Sequence, residues 1–405
     1  MSRSGRIVLV VVGAVAVVVG ATLAATRPWA ATPADQHGFV HYANAIDTSG
    51  SAIMIGLVPS GQCAIGLGQS EADAIVPTYW TSGGACHRFA KTSMVDGGQN
   101  PDAGPDSSQP GGTYLVGAVA AGDGSLTVIG EDQEHNDYLA GSGEIFSLTA
   151  SGLNLVNQVD SPQNAGQSWQ DENGQVFFAS ITLVGTKLLI GGKQSTPSSE
   201  GRPTVWSSDD GGGTLDAAEL PEPANLVAGV DAMAVHGDTV LALGTETADE
   251  RNDTLVGWES GDQGRTWARI AQQSYPAHAI SGIVFTNGQW IAAGETQGAR
   301  MPEPIVLTSS DAQHWQPTSL PAPEGGGEVT GLTVDRTGSP IAVGWTGSPA
   351  DQDDKNRCGE IWLATPPATW TDTATGCGGA TRAEAVTLAD GRVLVVNGHD
   401  LWIRS

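Results

Sequence analysis

Four arginines, Arg202, Arg251, Arg300 and Arg357, each stand shortly after an apolar run, in stretches crowded with acids. A guanidinium fork matches a carboxylate or sulfate two hydrogen bonds at a time. Glu131, Glu246 and Glu295 occupy the same kind of stretch. Gathered at one place, these groups would form a polar rosette able to grip an anionic ligand; scattered over the surface, they would be ion pairs worth little each. Two facing carboxylates at a set separation could also cleave a glycosidic bond, but the 44 acids of the chain do not single out a pair. Asp351-Gln352-Asp353-Asp354-Lys355-Asn356 begins like a calcium loop, yet Lys355 stands where an oxygen ligand belongs and no glycine follows it. Calcium is therefore the one metal the chain suggests, and no other cofactor is implied. A G-x-S-x-G elbow, a phosphate-binding glycine loop, H-E-x-x-H and C-x-x-C are all absent.

These stretches must be held by strands, because the chain repeats from about Gly38 onward in alternating apolar segments and turns. The clearest marker is a segment that ends in glycine: CAIGLG (63–68), LTVIGE (126–131), LLIGGK (188–193), LALGTE (241–246), IAAGET (291–296), IAVGWT (341–346) and LVVNGH (394–399). From Gly130 through Gly191, Gly244, Gly294 and Gly344 the steps are 61, 53, 50 and 50 residues. A period of about 50 residues with four strands per unit predicts propeller blades. Seven markers predict seven blades. After the last marker only 401–403 remains, so the segment 38–43 is expected to supply the missing outer strand and join the two ends of the chain.

Ser260-Gly261-Asp262-Gln263-Gly264-Arg265-Thr266-Trp267 reads as a tight corner between two strands. Asp262 can accept backbone N–H groups of the turn, Gly264 can take a positive φ, and Trp267 can fold back into the core. Degraded versions occur around Asp209, with Thr214 at the tryptophan position, and around Asp311 and Trp315. This pattern resembles the Asp-box of sialidase-like β-propellers, the bacterial neuraminidase repeat, and the resemblance covers about residues 38–405 as fold. It implies that the corners are structural and that function lies on the opposite face, with the second-to-third-strand loops. Active sialidases of that family also carry an arginine triad, a tyrosine nucleophile with a carboxylate partner, and an F/Y-R-I-P stretch. Here that stretch is missing, no arginine lies between Arg27 and Arg88, and Tyr275 is the only one of five tyrosines expected near the open face.

Arg3 and Arg6 precede a 19-residue uncharged run, 7–25. That is long enough to span a bilayer with residues 1–6 cytoplasmic, 26–37 as a tether and 38–405 outside. A cleaved signal peptide, with Ala24, Ala25, Ala30 or Ala31 near the cut, is the other expectation. The 18 Lys and Arg against 44 Asp and Glu give a net charge of −26, and three of those cations (Arg3, Arg6, Arg27) lie in the first thirty residues. Such an acidic body repels nucleic acid and anionic membrane surfaces. In an exported chain, four cysteines predict two disulfides, here Cys63–Cys86 and Cys358–Cys377. The expected protein is an all-β, seven-bladed propeller closed by its terminal strands and preceded by one hydrophobic helix. Its expected role is to bind or scaffold a protein or glycan partner at the cell envelope, with a glycan-active enzyme as the alternative.

Overall fold

The computed structural model describes residues 31–32, 37–71, 75–93, 112–133, 141–149, 151–159, 175–196, 199–222, 226–247, 253–270, 275–297, 301–322, 325–347, 357–365, 369–377 and 382–405. They form seven antiparallel sheets. Six are sequential four-stranded meanders over 52–93, 112–159, 176–219, 227–269, 279–319 and 326–377. The seventh takes Ala383–Thr387, Val393–Asn397 and Asp400–Arg404 from the C-terminal end and Phe39–Tyr42 from the N-terminal end, with the two-residue strand Ala31–Thr32 paired to Phe39–Tyr42 at its edge. Phe39 faces Arg404 and Tyr42 faces Leu401 in that pairing. Each sheet is apolar on both faces, so it must be covered on both sides. Among the described residues seven buried clusters do this, one between each neighbouring pair of sheets. The cluster between the seventh and first sheets joins Leu394 and Leu401 to Met54 and Trp80.

The glycine of the repeat has a steric cause. The innermost strand carries a β-bulge in five sheets, after Met54, Leu115, Phe178, Ile280 and Val329. A bulge turns a carbonyl toward the second strand. A Cβ on Gly294 would lie 2.0 Å from the Ala279 oxygen, and one on Gly344 would lie 1.9 Å from the Glu328 oxygen. Only glycine fits beneath that carbonyl. In the first and third sheets the glycines under the carbonyl are Gly68 and Gly192, so the marker of the third repeat is one residue later than Gly191. In the fourth sheet the innermost strand is broken into Val227–Ala228 and Ala232–His236, and the Gly229 oxygen covers Gly244.

A second repeat lies on the third strands. Trp80, Phe146, Trp206, Trp258, Leu307 and Trp362 pair with the residue two before each glycine under the carbonyl, namely Gly66, Val128, Ile190, Ala242, Ala292 and Ala342, and Trp402 pairs with Val395, two before Asn397. Trp80, Trp258 and Trp362 are fully buried. Trp258 and Trp362 donate Nε1–H to Pro221 and Pro321, just past the outer strand of the preceding sheet, at 2.9 and 2.8 Å. Trp80 donates to the Asp47 oxygen at 2.7 Å, just past Phe39–Tyr42. That N-terminal strand therefore occupies the place that an outer strand holds in the other sheets.

The corner of the fourth sheet takes the expected form. Asp262 accepts the N–H groups of Arg265 and Thr266 at 3.1 and 2.8 Å, and the hydroxyls of Ser260 and Thr266 at 2.8 and 2.7 Å. Gly264 has φ +79°, and its Cα packs against Leu189 of the preceding sheet. In the third sheet the carboxylate with this role is Asp210 and not Asp209: Asp210 accepts from Ser208, Thr214 N–H and Thr214 Oγ1. Asp209 is exposed and lies 4.0 Å from Lys187. Thr214 thus matches Thr266, and Leu215 stands at the tryptophan position. The fifth-sheet corner is one residue shorter: Ala312 has φ +58°, His314 replaces the threonine, and Trp315 is buried.

Both expected disulfides are present. Cys358 and Cys377 are direct cross-strand partners. Cys86 lies in the turn before Phe89–Ser93, not on that outer strand, and so reaches Cys63 at the start of the second strand without bending the sheet. Residues 7–25 lie outside the described residues, among which no helix is long and apolar enough to cross a membrane.

Candidate functional site at the carboxylate-lined mouth

The second strands end on the face opposite the Asp-box corners. The residue after each marker glycine alternates away from the bulge carbonyl. In this position stand Gln69, Glu131, Lys193, Thr245, Glu295 and Trp345. Two of the expected rosette residues, Glu131 and Glu295, are in this set. Glu246 is one residue further on, so alternation turns it toward the outer strand, where Arg269 Nη2 donates to it at 2.6 Å. Arg202 is likewise drawn outward, donating to Glu219 at 3.3 Å. Arg357 lies over the Trp345 ring, its Cζ 3.9 Å from the centroid. Arg251, Arg300 and the calcium-like stretch 351–356 lie outside the described residues. Of the described arginines, Arg202 thus pairs outward and Arg357 stays over Trp345.

The starts of the innermost strands supply what the loops do not. Asp231 stands at the break of the fourth sheet's inner strand and accepts the Ile280 N–H of the next sheet at 3.4 Å. His278 hydrogen-bonds Asp253 through Nδ1 at 2.7 Å and brings Nε2 to 4.0 Å from Glu295 Oε1. Glu328 faces Trp345 across the strand pair, and Trp345 Nε1–H donates to its Oε2 at 3.1 Å. Glu384 pairs with Arg382 at 3.1 Å. Lys193 lies over the Phe177 ring at 4.7 Å, and its charge acts on both Glu131 and Asp231. Acids and bases from the second through the seventh sheets thus line one end of the ring.

Burial dominates the electrostatics here. It pushes Glu131 up to about 7, against a hydrogen bond from Phe178 N–H and the charge of Lys193. Asp231, also raised to about 7, owes this to burial before the opposing Ile280 bond and Lys193 charge. Glu295 reaches about 7 through burial and then the charge of Glu328, with His278 acting against both. Glu384 is raised to about 7 by burial despite Arg382. Farther out, burial and the charge of Glu246 bring Glu222 to about 7. Tyr275 packs against the core between the fourth and fifth sheets, and its phenol is raised by burial and then by Glu303. Among the described residues no group of three or more His, Cys, Asp or Glu could hold a metal ion.

Asp231, Glu328 and Glu384 escape a search of the second-to-third loops because they sit on inner strands. Their signal in the sequence is an acid at the start of a repeat unit, in GVDAMAV, GGEVTGLTV and RAEAVTL.

Solved structures resemble this chain in fold. A mutant of Trypanosoma rangeli sialidase displaying trans-sialidase activity matches with a TM-score of 0.50 and 13% identity, over 72% of this chain and 53% of that one. A protein of unknown function from Dyadobacter fermentans matches with a TM-score of 0.50 and 12% identity, over 72% of this chain and 94% of that one. A mutant of the α-L-arabinofuranosidase of Fusarium graminearum matches with a TM-score of 0.46 and 12% identity, over 72% and 93%. The chain spans about half the length of the sialidase. At such identities the likeness is one of fold: this is a seven-bladed, sialidase-like β-propeller. No protein-family model matches the chain, and no curated protein is significantly similar to it in sequence.

Proposed function

We propose that the protein is an exported propeller, tethered through the hydrophobic run 7–25, that binds a protein or glycan partner at the cell envelope through its carboxylate-lined mouth. The observation that carries this is the ring of residues after the marker glycines. It brings Glu131, Lys193, Glu295 and Trp345 from four sheets to one face. Glu295 Oε2, buried there, lacks a hydrogen-bond partner, and such an atom favours a ligand that supplies one. The pairing of Phe39–Tyr42 with Leu401–Arg404 supports a ring closed by the two ends of the chain. Two disulfides and a strongly acidic body suit an exported protein that does not bind nucleic acid.

One observation favours a second function, cleavage of a glycan. Glu295 and Glu328 stand on neighbouring sheets, and after burial the charge of Glu328 helps raise the Glu295 pKa. Glycoside hydrolysis uses such an unequal pair. The test is a glycan array and fluorogenic glycosides, run beside a crosslinking pull-down from membranes. A saturable partner without turnover supports the binding role. Turnover that is lost in Glu295→Gln and Glu328→Gln would replace it with the hydrolase, and an absence of both partner and turnover would reject both.

A further inference from the structure

Glu295 is nine-tenths buried, with 9% of its side chain exposed. Its Oε2 has no hydrogen-bond partner. The other oxygen is 4.0 Å from His278 Nε2, beyond hydrogen-bond reach, and His278 already holds Asp253 through its other nitrogen. Glu328 is close enough to repel it, and is itself held in place by the Trp345 indole. Arg357 lies over the ring of the same Trp345, 3.9 Å from its centroid. Carboxylates from two neighbouring sheets therefore share the mouth, with the Glu295 Oε2 acceptor unused.

Resting on the binding role proposed above, we infer that Glu295 and Glu328 form a subsite for a primary ammonium group carried by the partner. An ammonium is compact and offers three diverging donors, so one group can meet Glu295 Oε2 and Glu328 together and cancel their repulsion. A neutral hydroxyl would satisfy the oxygen and leave the repulsion in place. A metal ion finds no set of three ligands among the described residues. Burial and then the Glu328 charge favour a proton here too, which is the sense of the raised Glu295 pKa. The ammonium can come from an amino sugar or from a lysine side chain.

Calorimetric titration of the full chain in detergent distinguishes these. The probes are a glucosamine tetramer, its fully N-acetylated counterpart, and an end-blocked Gly-Lys-Gly peptide with its Nζ-acetylated form. At least one amine probe is expected to bind saturably, with its acetylated form about tenfold weaker or worse. Which amine binds identifies the source. Glu295→Gln and Glu328→Gln should each weaken that amine by about tenfold with the melting temperature kept, and if one variant fails to fold the other decides. Equal binding of amine and acetylated probes, unchanged binding in a folded variant, or no binding by either amine up to about 10 mM overturns the ammonium subsite. A partner that is still captured from membranes by Glu295→Gln at undiminished yield would overturn it too, while leaving the binding role standing.

Discussion

Opposite ends of the same sheets treat a carboxylate in opposite ways. At the corner, Asp262 accepts two backbone N–H groups and two hydroxyls, and these bonds, the Thr266 N–H first, hold its pKa down to about 2. Asp311 is depressed still further, first by the His314 N–H. At the mouth, Glu295 sits deeper, lacks a partner for one oxygen, and is pushed up to about 7. The difference is the supply of donors. A corner turns the chain back on itself and aims its N–H groups inward. At the mouth donors are scarcer: Asp231 and Glu131 receive a backbone N–H from Ile280 and Phe178, and Glu295 Oε2 receives none. Acids at the corner are therefore saturated and structural, while acids at the mouth retain binding capacity.

That contrast can be broken from either end. The largest effect is expected from deleting residues 38–45. This removes the outer strand of the seventh sheet and the Asp47-side support of Trp80, and the thermal transition should fall sharply or disappear. An unchanged melt would show that the strand is dispensable. Next comes Trp258→Ala, which empties a fully buried site and loses the bond to Pro221; denaturant unfolding should show a loss of about 3–5 kcal/mol. Glu295→Gln at the other end should leave unfolding free energy within about 1 kcal/mol while removing amine binding. A loss comparable to that of Trp258→Ala would make the mouth as structural as the joints.

The two ends also differ in pH response. Glu131, Asp231, Glu295 and Glu384 have folded pKa values raised to about 7 from 4.5 or 3.8. The folded state then binds more protons than the unfolded one between those values, so stability should fall as pH rises from about 4.5 to about 7. The corner acids act in reverse: their contribution is present above 3.8 and lost as pH falls through about 2 for Asp262. Melting temperature against pH should therefore peak on the acid side of neutrality. Glu131→Gln combined with Glu295→Gln should flatten the neutral limb alone, and an unaltered limb would remove burial as its cause. The smallest effect separates neighbours: Asp210→Ala should lower the melting temperature, and Asp209→Ala should leave it unchanged, since only Asp210 receives the Ser208 and Thr214 bonds.

Much of this was legible before any coordinates. The corner at 260–267 and the glycine period specify short strands, their turns and their number, because a positive φ and a carbonyl pressed on Cα each admit few residue types. The tryptophan ladder from Trp80 to Trp402 is equally open to inspection and marks the third strands. The rosette was less legible. Glu246 and Glu295 look alike in their repeats, LALGTE and IAAGET, but they are two residues and one residue past the glycine, and one step along a strand reverses the side. Arg202 and Arg357 look alike in sequence, yet Arg202 reaches Glu219 on an outer strand while Arg357 stays over Trp345 of the mouth. Asp209 and Asp210 differ by a single position that only the hydrogen bonds resolve.

By itself the chain determined the blade, its repetition and the cysteine pairing, since these depend on contacts within about fifty residues. Which carboxylates share a mouth was decided by the tertiary structure alone. Glu295 and Glu328, or Glu131 and Lys193, belong to different sheets, and their approach follows from how neighbouring sheets pack around the ring. The charge each one keeps depends on the water that packing excludes, a quantity no local stretch of sequence carries.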